Sequence, residues 1–293
     1  AALAEQMKVE KDRQARMEMF IALGQACYYA KMPNSEMEVS SEIRTQALEY
    51  ASEYLMSEDQ SEAQKGAEVL RKLLEHNGLE KQAADKYLDF LAERFKKEPA
   101  GGENGTLRSE LVNSMAVLCR QSAYRNQAVE KFAPLFEQAL ADGSSSIREA
   151  AVNGLIYIDK HKALSKLRNE YADDGSEIIR SKVIELAQEV GNGADLEWLI
   201  GKVGSQSEEA EQAWAAMMEI FKRSELELLE KWKARLCGQG KAIELSNDRL
   251  TAFLQAVEKK AEAENNQKVL NAARSRLAEI YMADEDYKAA AEY

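Results

Sequence analysis

The sequence predicts an all-α protein, an α-solenoid in which antiparallel helical hairpins stack into a right-handed superhelix. Two segments, 145–152 and 176–184, resemble each other and place Arg148 and Arg180 at matching positions, 32 residues apart. A period of about 30 to 45 residues is typical of stacked helical hairpins. Only 3 Pro and 15 Gly occur in 293 residues, so few residues interrupt helices. The repeat and the composition therefore favour a helical-repeat stack over a single closed core.

The apolar residues of the repeated segments follow a helical spacing of three and four positions. Each copy therefore forms an amphipathic helix that buries one face against its neighbours. Three copies align in this way, and an earlier copy surrounds Arg108, 40 residues before Arg148. The aligned apolar positions are Leu111, Val112, Met115 and Leu118; Ala151, Val152, Leu155 and Ile158; Val183, Ile184, Ala187 and Val190; and Trp214, Ala215, Met218 and Phe221.

The helices follow one another along the chain. Residues 3–31 are predicted as one long helical segment, which ends at Pro33. The next helices are predicted near 43–55, 63–74 and 84–95 and around Arg108, with Asn77-Gly78 as a cap and 99–105 as a loop. Further hairpins are predicted at 126–158, 161–190, 194–221 and 225–258.

Residues from about 126 to 222 resemble HEAT repeats, and residues 40–258 do so loosely. The second helix of a HEAT unit typically opens with a turn acid, an apolar-Arg pair and small residues. Pro134 falls inside a first helix, where that family often has a proline, whereas Glu211 occupies the arginine site of the third copy. The resemblance implies that each arginine pairs with a turn aspartate of a neighbouring repeat. The matching residues are Asp142, Ile147, Arg148, Ala150 and Ala151, then Asp173, Asp174, Ile179 and Arg180.

The C-terminal end, about 270–293, resembles a different unit, the tetratricopeptide repeat. Its large and small packing sites are matched by Leu277, Ala278, Tyr281, Tyr287 and Ala290. The match stops partway through the second helix, so we expect a fragment of a longer protein. The predicted domains are an N-terminal helix with tetratricopeptide-like features (1–38), HEAT-like repeats (39–258) and a truncated tetratricopeptide-like hairpin (259–293).

The charge narrows the classes of partner. The chain has 39 Lys and Arg residues against 51 Asp and Glu residues, a net charge of −12. This charge repels nucleic-acid phosphates and anionic lipid headgroups. No apolar run approaches the roughly 18–20 residues that cross a bilayer, so membrane insertion is disfavoured. A protein or peptide partner is favoured by elimination.

The three cysteines, Cys27, Cys119 and Cys237, are odd in number and lie far apart among apolar or helical residues. This pattern predicts free thiols rather than a disulfide framework or a zinc site. Free thiols favour a reducing compartment such as the cytoplasm. The absence of an initial methionine also fits a periplasmic or secreted protein after removal of its signal sequence.

The sequence predicts no catalytic residue, metal site, cofactor or small-molecule substrate. His76 and His161 are the only histidines, and neither has a cysteine or carboxylate at ligand spacing. The glycine-rich stretch 101–106 lacks the lysine of a phosphate-binding loop, and it is predicted, like 238–241, to connect helices. The acidic residues 284–286 lack the spaced ligands of a calcium loop.

A binding surface is predicted on the exposed stripe of the second helices, which line the concave side of HEAT-type stacks. Tyr157 and Ile220 are predicted to contribute most, because exposed aromatic and aliphatic residues in a groove often dominate binding. The candidate rows are Glu149, Ser181 and Gln212; Asn153, Glu185 and Ala216; and Tyr157, Glu189 and Ile220.

These patterns predict a non-catalytic scaffold or adaptor that holds a protein or peptide partner in its concave surface. Two alternatives stay open. One is an enzyme built on HEAT-like repeats, of the DNA glycosylase or lyase type, although the net charge of −12 argues against nucleic acid. The other is a secreted or periplasmic solenoid in an envelope complex, which the unpaired thiols disfavour.

Overall fold

The computed structural model describes residues 2–30, 38–75, 81–100, 105–204, 209–237 and 245–293. Every regular element in these ranges is a helix, which confirms the predicted all-α, helical-repeat class. The helices are α1 (Ala2–Val9), α2 (Arg13–Tyr29), α3 (Ser41–Leu55), α4 (Gln60–Glu75), α5 (Lys81–Lys97), α6 (Gly105–Gln121), α7 (Arg125–Ala139), α8 (Ser145–Ile158), α9 (Lys160–Glu170), α10 (Glu177–Val190), α11 (Leu196–Val203), α12 (Glu209–Arg223), α13 (Leu226–Cys237), α14 (Asn247–Ala263), α15 (Gln267–Ala283) and α16 (Tyr287–Ala290).

The chain divides into two compact units, Ala1–Ala163 and Leu164–Tyr293. In unit 1, the helices α2, α4, α6 and α8 pack side by side in one layer, and α1, α3, α5 and α7 form a second layer. In unit 2, α10, α12 and α14 pack in sequence, with α11 against α12 and both α13 and α15 against α14. Each unit is thus a stack of helical hairpins. The predicted domains 1–38, 39–258 and 259–293 stay predictions.

The N-terminal segment contains two helices instead of the predicted single helix over 3–31, which is therefore wrong. The first helix ends at Val9, and the second begins at Arg13. Asp12 caps the second helix, because its side chain accepts a hydrogen bond from the backbone N–H of Ala15 at 2.7 Å. The backbone N–H of Asp12 in turn donates to the carboxylate of Glu10 at 2.9 Å.

The later predicted hairpins agree with pairs of helices from α7 to α14 within a few residues, and Pro134 lies inside α7 as predicted. Several predicted features lie outside the described residues. These are the helix end at Pro33, His76, the cap at Asn77-Gly78, the loop residues 101–104 and the loop 238–241.

The buried residues define the register of the repeats. The buried positions of α10 follow those of α8 by 32 residues, whereas those of α12 follow α10 by 30. The predicted alignment of α12 with a shift of 31 is therefore wrong by one residue. Corresponding buried positions are Ile147, Ala151, Val152, Gly154 and Leu155; Ile179, Val183, Ile184, Leu186 and Ala187; and Glu209, Ala213, Trp214, Ala216 and Met217.

The cause of this error lies in the composition of α12. All residues from Ala213 to Met218 are apolar, so a shift of one position leaves the apolar pattern unchanged. The structure places Ala215 in solvent and leaves Met218 half-buried, although both were aligned with core positions. Burial, which the sequence does not record, is what distinguishes the two registers.

Arg108 forms a buried ion pair between neighbouring repeats. Its Nε donates to Oδ2 of Asp142 at 2.7 Å, and the two side chains are only 4% and 0% exposed. Asp142 precedes α8, so the pair joins an arginine to the turn aspartate of the next repeat, as the HEAT resemblance implies. Nη1 of Arg108 also donates to the carbonyls of Phe95 and Glu98, at 3.1 and 2.7 Å. The arginine is therefore structural.

The other two repeat arginines have related contacts. Arg180 pairs with Glu209, the first residue of α12, and donates to the carbonyl of Asp174 at 2.7 Å. Arg148 donates to the carbonyls of Asp142 and Gly143, at 3.0 and 3.1 Å. These contacts hold the turns that precede the second helices.

The cysteines are free thiols, as predicted; Cys27 and Cys119 are buried and Cys237 is half-buried. Burial raises the pKa of all three, and it raises the pKa of Cys119 to about 12. Since the thiolate is the reactive form, these thiols are poor nucleophiles near neutral pH.

We expect the burial of Cys119 to lower the stability of the folded protein in alkaline solution. An unfolded thiol ionises near pH 8.5, whereas the folded thiol ionises at about 12, so the unfolded state loses its proton first. The stability that Cys119 contributes is complete below about pH 8.5 and falls as the pH rises toward 12. Urea unfolding at about pH 8 and pH 10.5 measures the loss. An equal loss in Cys119→Ala would contradict this expectation.

Candidate functional site

In unit 1, the even-numbered helices leave one open face. Within their layer, α4 and α6 each pack between two even-numbered helices, and one further side of each packs against the odd-numbered helices of the second layer. The remaining side of each helix is exposed to solvent. We call this surface the even-helix face of unit 1. It contains Lys65, Glu68 and Lys72 on α4; Asn113, Val117 and Arg120 on α6; and the predicted residues Glu149, Asn153 and Tyr157 on α8, all exposed or half-buried.

Two asparagines occupy equivalent positions on neighbouring helices of this face. Asn113 lies on α6 and Asn153 on α8, 40 residues apart, the same spacing that separates Arg108 from Arg148. Among the described residues, neither side-chain amide has a hydrogen-bond partner. Each amide therefore offers an acceptor oxygen and an N–H donor to a molecule that approaches from solvent.

An arginine and a tyrosine lie toward the C-terminal end of the same stripe. The guanidinium of Arg120 lies over the ring of Tyr157, 5.1 Å from its centroid. Arg125 donates to the carbonyls of Tyr157 and Ile158 at 3.1 and 3.2 Å, and so holds the last turn of α8. Arg120 is exposed and has no carboxylate partner in the described part of the chain. We call these two side chains the Arg120–Tyr157 shelf.

The α4 side of the face consists of ion pairs. Lys72 and Lys65 contact the carboxylate of Glu68 at 2.8 and 3.0 Å, and their hydrogen bonds lower the pKa of Glu68, that of Lys72 most strongly. Arg71 pairs with Glu75, whose side chain is 5% exposed. Each of these charges thus has an opposite charge within its own helix, so this part of the face is electrostatically satisfied.

Glu110 is a half-buried carboxyl group of α6 that lies near Arg71 of α4. Its carboxylate accepts a hydrogen bond from the Ser114 hydroxyl at 3.0 Å and lies 3.9 Å from the guanidinium of Arg71. Burial raises the pKa of Glu110 despite these two contacts, because the side chain is only 23% exposed. A perturbed carboxyl group of this kind marks either a functional site or an internal ion-pair network, and the contacts of Arg71 favour the network.

In unit 2, the exposed side of α10 carries the predicted residues Ser181, Glu185 and Glu189. Ser181 is half-buried, and the two glutamates are exposed. On α12, the register of 30 residues places Glu211, Ala215 and Glu219 at the corresponding positions. A shallow depression of about 350 Å³ on α10 is lined by Glu177, Ile178, Ser181, Lys182 and Glu185.

The α12 members of the predicted rows need correction. Ile220 is 1% exposed and Ala216 is 0% exposed, so neither can line a groove. Gln212 is exposed, but in the register of 30 residues it corresponds to Lys182 instead of Ser181. The physical reason is the one-residue error in the alignment of α12, which rotates each position by about 100° around the helix axis.

Outside the even-helix face of unit 1, a cavity of about 360 Å³ next to α2, α3 and α4 is lined mostly by residues that pair with one another. There, Arg13 pairs with Glu62, and Arg16 contacts Glu53 at 3.1 Å and the Tyr54 hydroxyl at 3.2 Å. The described residues contain no group of three or more His, Cys, Asp or Glu side chains that could hold a metal ion. Within the same residues, no helix is long and apolar enough to span a membrane.

Asn113 and Arg120 are not among the residues that the sequence predicts for a binding surface. A signal for Asn113 is present in the sequence, because the spacing of 40 residues between Arg108 and Arg148 also relates Asn113 to Asn153. The contact of Arg120 with Tyr157 is visible only in the structure, since it joins two helices through the orientation of both side chains.

Comparisons with known proteins show the fold of the chain. The sequence matches no family model, and no curated protein is significantly similar to it. The crystal structure of YibA from Escherichia coli is 14% identical, with a TM-score of 0.50, and the match covers 92% of this chain and 97% of that one. An engineered protein is 12% identical, with a TM-score of 0.50, over 98% of this chain and 81% of that one. At these identities, the likeness concerns the fold alone.

Proposed function

We propose that this chain is a non-catalytic helical-repeat scaffold, of the HEAT type with a tetratricopeptide-like end, which binds an extended peptide segment of a partner protein. The binding surface is the even-helix face of unit 1. The observation that carries this proposal is the pair Asn113 and Asn153, whose amides lie at equivalent positions and have no partner among the described residues. An exposed carboxamide matches the donor and acceptor of a peptide group.

The spacing of the two asparagines suits an extended chain. Helices that pack side by side have axes about 8–10 Å apart, and an extended chain rises about 3.3 Å per residue. A peptide that crosses α6 and α8 would therefore meet the second asparagine about three residues after the first. Hydrogen bonds to the peptide backbone give affinity without regard to sequence, as in other modes that recognise extended peptides.

The remaining side chains of the face support binding rather than catalysis. Tyr157, half-buried on the same stripe of α8 as Asn153, would contribute a large apolar surface to a bound peptide. Asparagine amides do not transfer protons near neutral pH. The buried thiols have raised pKa values, so they stay protonated there as well.

The proposal predicts that a peptide selected on the full chain depends on both amides. A phage-displayed library of random 12-residue peptides supplies the ligand, and fluorescence anisotropy of an enriched synthetic peptide measures the affinity. We expect Asn113→Ala and Asn153→Ala each to weaken binding by about three- to tenfold, the effect of one or two hydrogen bonds. Both substitutions remove exposed or half-buried groups, so the circular dichroism spectrum should not change.

The matched control is Asn126→Ala, which removes an exposed asparagine from α7 in the other layer of the same unit. This variant should bind the peptide as the native chain does. Failure to enrich any peptide, or an unchanged affinity in the double variant Asn113→Ala/Asn153→Ala, would contradict the proposed function.

A further inference from the structure

The Arg120–Tyr157 shelf combines a pre-positioned cation with unused hydrogen-bond donors. The ring of Tyr157 holds the guanidinium of Arg120 from one side, at 5.1 Å from the ring centroid. Stacking on an aromatic ring leaves the edge of a guanidinium, and hence its N–H donors, free to bind a carboxylate in a forked geometry. Because the side chain is already oriented, little conformational entropy is lost when it binds.

The surroundings of the shelf are basic, although the chain as a whole has a net charge of −12. Arg125 binds the carbonyls at the end of α8, and the exposed residues Lys160 and Lys162 follow within five positions of Tyr157. Asp159 is the acidic residue in this stretch, and its carboxylate lies 3.7 Å from the ammonium of Lys162. The formal charge of residues 157–162 is therefore positive, and Arg125 adds to it, which favours an anionic group at this end of α8.

The neighbouring helix does not neutralise Arg120. Each buried apolar residue of α4 has a buried counterpart on α6 at a residue number 45 higher. By this correspondence, the counterpart of Arg120 on the neighbouring helix is Glu75. Glu75 is buried and paired with Arg71, so its carboxylate is already compensated. The donors of Arg120 thus remain available to a ligand.

The shelf lies within reach of a peptide on the two asparagines. Tyr157 follows Asn153 by four residues on α8, a separation of about 6 Å along the helix axis. The side chain of Arg120 leans toward the N-terminus of α6, and hence toward the asparagines. The carboxylate of an Asp or Glu in a peptide residue held by Asn153 can therefore meet the guanidinium of Arg120. We propose that the Arg120–Tyr157 shelf selects an acidic side chain, Asp or Glu, at one position of the docked peptide. This inference rests on the proposed function.

The test is a peptide selection with a charge-reversed shelf. Random 12-residue peptides are selected in parallel on the native chain and on Arg120→Glu. The native chain should enrich peptides with Asp or Glu at one fixed position, and Arg120→Glu should lose that preference and enrich Lys or Arg there. In a synthetic enriched peptide, replacement of the acidic residue by its amide should weaken binding to the native chain by about ten- to hundredfold, and should have little effect on binding to Arg120→Glu.

Two further variants separate the shelf from a general effect of charge. Lys86→Glu reverses a lysine that lies over the rings of Tyr87 and Phe90 at 5.6 and 5.8 Å, but on α5 in the other layer. This control should keep the acidic preference. Tyr157→Phe, which keeps the ring, should also keep it, whereas Tyr157→Ala should weaken it.

The outcomes distinguish this inference from the proposed function. If enriched peptides depend on Asn113 and Asn153 but show no acidic position, or keep it in Arg120→Glu, the shelf is not a specificity site, whereas the even-helix face remains the binding surface. If enriched peptides do not depend on the asparagines, or none are enriched, both proposals are wrong.

Discussion

Replacing Asp142 by Ala should destabilise unit 1 by about 3–5 kcal/mol, because it leaves the charge of Arg108 buried without a counter-ion. The side chains of the pair are 4% and 0% exposed, so water cannot replace the lost carboxylate without a rearrangement. The carbonyls of Phe95 and Glu98 and the ring of Phe95, 4.1 Å from the guanidinium, still contact Arg108. These groups carry partial charges only. The substitution also removes the acceptor for the backbone N–H of Ser144. Urea unfolding followed by circular dichroism measures the change.

A turn aspartate of unit 2 provides the matched control. Asp173 contacts Lys202 at the same distance, 2.7 Å, but its side chain is 90% exposed. Asp173→Ala should cost less than about 1 kcal/mol, since exposed pairs contribute little. The double variant Arg108→Met/Asp142→Leu should recover most of the stability lost in Asp142→Ala, because it removes both buried charges. Equal costs for Asp142→Ala and Asp173→Ala would show that burial does not determine the contribution of this pair.

Gly66→Ala should destabilise the contact between α3 and α4 by about 1–3 kcal/mol, although alanine is the better helix former by about 1 kcal/mol. A methyl group on Gly66 would lie 2.2 Å from the backbone nitrogen of Leu55 and 2.7 Å from its Cα atom. Backbone atoms cannot rotate away as a flexible side chain can, so the two helices must move apart. The loss of packing outweighs the gain in helix propensity.

Gly201→Ala is the control for this prediction, because the same substitution meets no atom within 4 Å in the exposed part of α11. Here only the helix propensity acts, and we expect a stabilisation of about 0.5–1 kcal/mol. Thermal unfolding of both variants should show opposite changes in Tm. A stabilised Gly66→Ala variant would mean that α3 and α4 separate at little cost.

The candidate surface could be predicted in part from the sequence. Glu149, Asn153 and Tyr157 were placed on the exposed stripe of one helix, because polar residues interrupt its apolar spacing there. The prediction failed on α12, where both possible registers are apolar and Ile220 is in fact buried. The sequence does not indicate the contact between Arg120 and the ring of Tyr157, because the two residues lie 37 positions apart.

The sequence by itself determined the all-α class, the hairpin order and the apolar face of most helices, because these depend on local periodicity and on residues that cap or break helices. Only the tertiary structure decided the register of α12, the break between α1 and α2, and the partners of the repeat arginines. Arg108 pairs with a turn aspartate, whereas Arg180 pairs with Glu209 at a helix start. These contacts depend on the distance between, and the burial of, groups that are remote in sequence. In a uniformly apolar segment, an alignment shifted by one residue gives the same apolar pattern, so the sequence alone does not distinguish the two registers.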